Sequence, residues 1–505
     1  MQGPDAALRT DHLLADLGRR SARGGVVTIT AQAGKVLLQF ATVAALARLL
    51  PPTAFGLIAM VAALNAVFDL IKEFGISAAT IRKPDLTHDE VSALFWINAA
   101  AGILIALTLV ALAPAIASFY GEPTLKGITR YLAIGFVLSG LSVQHWALLR
   151  RQMRFSIVAA VDVGSEAAGF AVALSLAIMH AGYWALVAQR LAVPALALAG
   201  SWLFCPWRPG PPRRCRGLGP LLRYGASVTC VNIAAALTRS LDQVVVGWLW
   251  GAVTLGLYER SAKLLLTPTL SFVVSLYSIA MPVMSRLDSD PARYRRAFRD
   301  IIAMLAMVAM PGAALVASTS DWVVAIMFGV QWRETAPFVA CFAIAAAYQP
   351  VAQLLGVLYL SQDRKREMLR AALIDTGLFM AAIGAGVWFG ALGIAVALAA
   401  VGWTLRLPVA VWLATRRGPV RIGDMAAAIA PAAATALTTA GAIGALRLFV
   451  MTAGVGPVLG LVIAVAVAGA ISVAVLTFMP HSRRILMRLM QHPRTMRGGD
   501  SAIPI

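Results

Sequence analysis

Seven basic side chains stand inside stretches that are otherwise almost wholly apolar: Lys35, Arg48, Arg190, Arg239, Arg260, Lys263 and Arg406. Asp69, Asp162, Glu166, Asp242, Glu259 and Asp375 share those stretches. A guanidinium offers a planar fork of donors that meets a phosphate with two bonds at once, and an ammonium offers a compact point charge. Held together in apolar surroundings, such cations would bind an anionic cargo. A charged side chain at the centre of a bilayer costs about 2.5–3.5 kcal/mol on insertion scales, so seven left facing lipid would cost on the order of 20 kcal/mol. They must turn inward or reach a surface. Lys35 and Arg239 lie near the middle of their stretches and are the foremost candidates for substrate contact. Arg48 and Arg406 stand near a helix end or break, where reaching back to the interface serves equally well.

The acids suggest a second task. Asp162 and Glu166 are one helical turn apart on one face, and two neighbouring carboxylates in low dielectric do not both ionise easily. The pair is therefore a candidate for proton or sodium coupling, alternatively for a structural contact to Arg190 or to backbone. Asp69, Asp242 and Asp375 complete the ion-coupling candidates. Arg239 with Asp242 and Glu259 with Lys263 have the three- and four-residue spacing of self-neutralising helix pairs. Cations barely outnumber acids, so their clustering in space decides what they do.

Enzyme chemistry finds little support, and no catalytic residue, metal site or cofactor is expected. Gly34-Lys35 lacks both the upstream glycine and the following Ser or Thr of a phosphate loop. Asp288-Ser289-Asp290 has the shape of a metal–nucleotide site, but no nucleotide-binding fold surrounds it. The six histidines are scattered, and the four cysteines (Cys205, Cys215, Cys230, Cys341) have no metal-ligand spacing.

The elements that must carry these residues follow from charge and hydropathy together. Of the 43 Lys and Arg residues, 32 fall into eight clusters: the N-terminal tail to Arg23, 72–83, 150–154, 208–223, 286–299, 364–370, 416–421 and the C-terminal tail from Arg483. Two apolar stretches separate each neighbouring pair of clusters, and only Lys126, Arg130, Arg333 and Arg447 occupy the connections between the two. Short cytoplasmic loops retain Lys and Arg. The pattern predicts an all-α integral membrane protein of 14 transmembrane helices with N-in/C-in topology. The predicted spans are 25–48, 53–72, 93–118, 127–147, 156–179, 183–204, 224–248, 253–283, 300–319, 335–361, 370–389, 391–414, 425–447 and 456–479. Asp321–Trp332 is apolar but too short to cross, and is placed at the outer interface. Pro194, Pro268, Pro311, Pro350 and Pro408 mark hinges or fixed kinks, with Pro268 expected to bend its long span.

The chain is 60% hydrophobic with a mean hydropathy of +0.79, well above the ~45–50% apolar content of a globular domain. Its net charge of +20 is accounted for by inside loops facing anionic lipid, so nucleic acid is not expected as a partner. The first 24 residues are polar and unlike a signal peptide, which leaves the first span as the insertion signal.

The two halves echo one another. Ala41–Ala62 aligns with Leu241–Ala262, placing Phe55-Gly56-Leu57 and Leu255-Gly256-Leu257 200 residues apart, each after a tight outside turn. Val161-Asp162-Val163-Gly164 echoes Ile374-Asp375-Thr376-Gly377. A repeat of six spans is even, so the copies keep one orientation, a transporter signature with the substrate site between the lobes. The predicted organisation is a cytoplasmic tail 1–24, an N-lobe 25–220, a C-lobe 221–415, a terminal helix pair 416–480 and a tail 481–505.

Arg239-x-x-Asp242, the apolar stretch with Gly247, then Gly251-Ala-Val-Thr-Leu-Gly-Leu-Tyr258 and Pro268 resemble polysaccharide-exporter sequences, as does Arg48-Leu-Leu-Pro-Pro-Thr-Ala-Phe-Gly56. Over nearly its whole length the chain resembles the polysaccharide transporter branch (Wzx-like, colanic-acid-exporter type) of the multidrug/oligosaccharidyl-lipid/polysaccharide flippases. The resemblance implies a V-shaped, alternating-access flippase of the bacterial inner membrane. Its cargo would be undecaprenyl-diphosphate-linked oligosaccharide bound for exopolysaccharide, O-antigen or capsule. It implies membrane lipids and the lipid-linked oligosaccharide as partners, joined by a polymerase and a chain-length regulator of the same pathway. Lys35, Arg239, Arg260 and Lys263 would then meet the diphosphate or acidic sugars. The rivals are a drug/cation antiporter of the same fold, which would favour an acidic cavity; a lipid II flippase; and a membrane-bound glycan polymerase or ligase, which would carry a large periplasmic loop.

Overall fold

The protein is described from a computed structural model over residues 17–73, Thr80, 87–212, 218–452 and 456–478. Regular structure among these residues is entirely helical, as expected where no water is at hand to satisfy exposed backbone groups. The helices are α1 (Leu17–Leu49), α2 (Pro52–Glu73), α3 (His88–Tyr120), α4 (Leu125–Arg151), α5 (Phe155–Ile178), α6 (Trp184–Phe204), α7 (Leu218–Arg286), α8 (Pro291–Ser318), α9 (Ser320–Met327), α10 (Ala336–Ser361), α11 (Lys365–Val387), α12 (Gly390–Val401), α13 (Leu407–Thr415), α14 (Ile422–Thr452) and α15 (Pro457–Phe478). Among the described residues, twelve helical stretches are long and apolar enough to cross a membrane.

Helix ends depart from the predicted spans mainly on the charged side. Where 300 is the predicted start, α8 begins at Pro291, because the Asp290 side chain accepts from the Ala292 and Arg293 N–H groups and a proline fills the first turn. A reciprocal cap likewise starts α3: Thr87 accepts from the Glu90 N–H, and the Glu90 carboxylate accepts from the Thr87 N–H. Hydropathy reports the hydrocarbon-covered part of a helix, not its polar first turns.

The 69-residue run of α7 is a hairpin. Gly251 breaks it with φ 75° and ψ −173°, a conformation open almost only to glycine. The Tyr258 hydroxyl donates to Asp242 at 2.9 Å, whereas a straight helix would hold residues sixteen apart about 24 Å away from each other. The two arms therefore fold back beside one another. α9, eight residues long, would reach only about 12 Å and is far too short to span. The short 3-10 helix Val330–Thr335 that follows buries Trp332.

Contacts divide the chain into two compact units, Met1–Glu259 and Arg260–Ile505. In the first, α3 and α4 cross with backbones almost touching. A methyl group on Gly102 would lie 2.6 Å from the Phe136 carbonyl oxygen, and one on Gly140 2.7 Å from that of Asn98. Close approach at small residues replaces hydrophobic burial as the glue between helices in lipid. α6 packs on α4 and α5, and α1 runs along α5. Val91, Phe95, Leu148, Leu149, Cys205 and Trp207 form a tight cluster at the base of α3, α4 and α6, where His145 stacks on Trp202 with centroids 4.6 Å apart. Burial there pushes the Cys205 thiol above its ordinary range.

In the second unit, α8, α10 and α14 enclose the main core, built on Tyr294, Phe298, Leu354, Leu358 and Met425. α11 packs on α12, and α15 on α14. Arg447 on α14 pairs with Asp321 of α9 through two bonds of 2.9 and 2.8 Å and lies over the Trp322 ring.

Candidate functional site

In the first unit the charges meet on α1 and α5. Lys35 Nζ donates to both Asp162 carboxylate oxygens, at 2.9 and 3.0 Å, and lies 3.5 Å from Glu166 Oε1. The single-turn spacing of the acids lets one ammonium serve both. It also sets two carboxyl groups around one ammonium where a cationic lining is expected from sequence. Asp162 keeps 45% of its side chain exposed, so the pair remains open on one side.

The second unit holds a counterpart. Arg406 grips Asp375 through one guanidinium edge, Nε to Oδ1 and Nη2 to Oδ2, each at 2.8 Å. Its remaining Nη1 donates to the Tyr348 hydroxyl at 3.2 Å, and the guanidinium lies 5.2 Å from the centre of the Phe379 ring. Arg406 therefore does not reach for a helix end. It is held across α10 and α11 by a bidentate pair and an aromatic face.

Local backbone chemistry explains this placement. Between α12 and α13 the helix widens to a π-helical turn over Gly402–Arg406. Pro408 follows one residue later; it has no N–H for the Thr404 carbonyl, and its ring crowds that carbonyl, so the turn opens. Gly402 lets the turn approach α10, since a methyl group there would lie 2.3 Å from the Tyr348 ring. Trp403 donates to the Ile344 carbonyl at 2.9 Å and fixes the same contact.

Asp162 and Asp375, matched in the two halves, each accept from a cation on another helix. Asp242 is buried and accepts from Tyr258. Glu259 and Arg260 are buried, whereas Lys263, Arg48 and Arg190 are exposed. The side chains of Arg239 and Asp69 lie outside the described residues. Sequence reasoning missed Tyr258, Tyr348 and Phe379. A phenol inside a span was the available signal for the two tyrosines, because a buried hydroxyl needs a partner. Among the described residues no group of three or more His, Cys, Asp or Glu is placed to hold a metal ion.

Residues 45–337 match the family model described as Polysaccharide biosynthesis protein. The chain belongs to that family. Similar proteins include the Lipopolysaccharide biosynthesis protein WzxC of Escherichia coli (strain K12), 23% identical over 345 residues covering 67% of this chain and 69% of the relative. The Teichuronic acid biosynthesis protein TuaB of Bacillus subtilis (strain 168) is 24% identical, covering 58% of this chain and 62% of its own length. The Succinoglycan biosynthesis transport protein ExoT of Rhizobium meliloti (strain 1021) is 23% identical, covering 63% and 64%. Among solved structures the chain is similar to the lipid II flippase MurJ in its inward closed conformation, with a TM-score of 0.68 at 9% identity over 90% of this chain and 98% of that one. An inward-facing multidrug transporter of the MATE family gives 0.53 at 12% identity, over 77% and 97%. At those identities the likeness is one of fold. This member of the polysaccharide-biosynthesis family carries, among its described residues, twelve helical stretches long and apolar enough to cross a membrane.

Proposed function

We propose that the chain flips undecaprenyl-diphosphate-linked oligosaccharide from the cytoplasmic to the periplasmic leaflet by alternating access. The observation that carries this reading is the family match, which spans Asp162, Glu166, Arg190, Arg239, Asp242, Arg260 and Lys263. Lys35, Asp375 and Arg406 lie outside it and rest on the geometry of their ion pairs. Counting α2 and the two arms of the α7 hairpin as separate spans supports 14 crossings, and the basic clusters support both termini inside. The sequence echo supports two six-helix lobes and a terminal helix pair.

On this reading an entering diphosphate competes with Asp162 and Glu166 for Lys35, and with Asp375 for Arg406. Arg48, Arg190, Arg239, Arg260 and Lys263 supply further positive charge. A carboxylate that loses its cation takes up a proton or a sodium ion, which would couple flipping to a gradient through Asp162, Glu166 and Asp375, with Asp69 and Asp242 as further sites. Partners would be a polymerase and a chain-length regulator of the same pathway. Deleting the protein should cause lipid-linked repeat units to accumulate on the cytoplasmic leaflet, and re-expression should clear them. Unchanged levels would refute the flippase reading, and flipping insensitive to collapsed proton and sodium gradients would remove the coupling.

A further inference from the structure

The sequence echo Phe55-Gly56-Leu57 and Leu255-Gly256-Leu257 has a structural meaning. Both glycines sit in the second turn of a helical segment that starts at a break, α2 after Pro51 and the second arm of α7 after Gly251. The two segments cross at these glycines. A methyl group on Gly56 would lie 1.7 Å from the Ala252 carbonyl oxygen, and one on Gly256 2.2 Å from the Pro52 carbonyl oxygen and 3.1 Å from the Gly56 nitrogen. Each glycine thus abuts the residue four positions before the other, so the contact is reciprocal and relates the two sequence copies by a local two-fold. Gly102 and Gly140 pack in the same manner, but they join neighbouring helices of one copy. The crossing of Gly56 with Gly256 joins one copy to the other.

Its surroundings seal it. Phe55, Ile58, Ala59, Met60, Leu255 and Tyr258 are all buried. Beneath it Gly247 faces Tyr120, Met60 and Leu255, leaving no room for even a methyl group without displacement.

We propose that the Gly56–Gly256 crossing is the outer latch of the transport cycle: closed here, and parting when cargo leaves toward the outer face. The assignment of the outer side, and of a cycle that needs such parting, rests on the topology and function proposed above. Two-fold backbone contact suits the task. It closes with van der Waals and Cα–H···O contacts over a short area and can re-form in one register only. A side chain added at either glycine obstructs closure while leaving the open state untouched, so it shifts the population toward open.

Gly56→Ala, Gly256→Ala and Gly56→Leu test this without any cargo. Spin labels at the exposed Thr53 and Val253 report the separation of the two segments. An Ala59→Cys reporter, 2% exposed in the closed structure, reports access from outside to a membrane-impermeant maleimide. Each variant should lengthen the Thr53–Val253 distance distribution, and labelling of Ala59→Cys should rise roughly tenfold or more over the glycine background. The alanine variants keep the test decisive if leucine prevents insertion. Wild-type distances and labelling in both alanine variants would overturn the latch. Failure of the lipid-linked cargo assay with these shifts present would overturn the flippase reading and leave the latch standing.

Discussion

Lys35 balances two carboxylates that sit one turn apart, so its loss is not equivalent to the loss of either partner. Lys35→Met leaves two adjacent carboxyl groups without the ammonium that bridges them. Removing one partner of a fully buried pair costs about 3–5 kcal/mol. Here Asp162 is 45% exposed, and about 1–3 kcal/mol is expected, read as thermal unfolding in detergent. Asp162→Asn should be milder, because Glu166 remains to hold Lys35. The exchange Lys35→Asp with Asp162→Lys should recover membrane abundance. If it also restores full export, Lys35 acts as a structural tie and not as a substrate contact. At the opposite extreme stands Cys205, whose buried thiol is pushed up in the packed cluster around Trp207. In a background lacking the other three cysteines it should resist maleimide in the folded protein and react on denaturation; rapid labelling of the native protein would contradict that packing. The sequence made Lys35, Asp162 and Asp375 conspicuous because each is a charge in an apolar run. It could not pair Lys35 with Asp162, 127 positions away, since spacing along one helix fixes which residues share a face but not which helix lies opposite.

Helices were the most legible level. Most predicted ends fall within a few residues of α2, α5, α6, α10, α15 and the joined run of α12 and α13, because about 20 apolar residues bounded by charge admit few other readings. The hairpin in α7 was legible from its outside turn. The π-helical turn of Gly402–Arg406 was not, because it arises from Pro408 and from a tyrosine ring on another helix. That turn can be tested. Gly402→Ala should force the Tyr348 ring aside at a cost of about 1–3 kcal/mol. It should also detach the Tyr348 hydroxyl from Arg406, so the loss at Gly402→Ala and the loss at Tyr348→Phe should be non-additive in a double-mutant cycle. Additive losses would mean that the turn and the arginine clamp are independent.

For the whole molecule, charge segregation supplies what no single helix can. Eight basic clusters alternating with charge-poor connections predict an orientation in the membrane that hydropathy alone leaves open. The helical fold and the family match agree with that class of protein. Arg447 and Asp321 carry a prediction at this scale. Their pair ties α14 to α9, and Gly460 of α15 rests on Trp322 beside it. Arg447→Ala should therefore expose the α14–α15 region to limited proteolysis while leaving the rest of the chain protected; uniform resistance would show that this tie is dispensable.

The single-residue turn at Gly251 has one further consequence. With no slack between its arms, and with Tyr258 bonded to Asp242 across them, neither arm can slide lengthwise without dragging the other. Displacement of this element is then restricted to tilting about its tip, like a pair of tongs. A piston stroke along the membrane normal would have to carry both arms together.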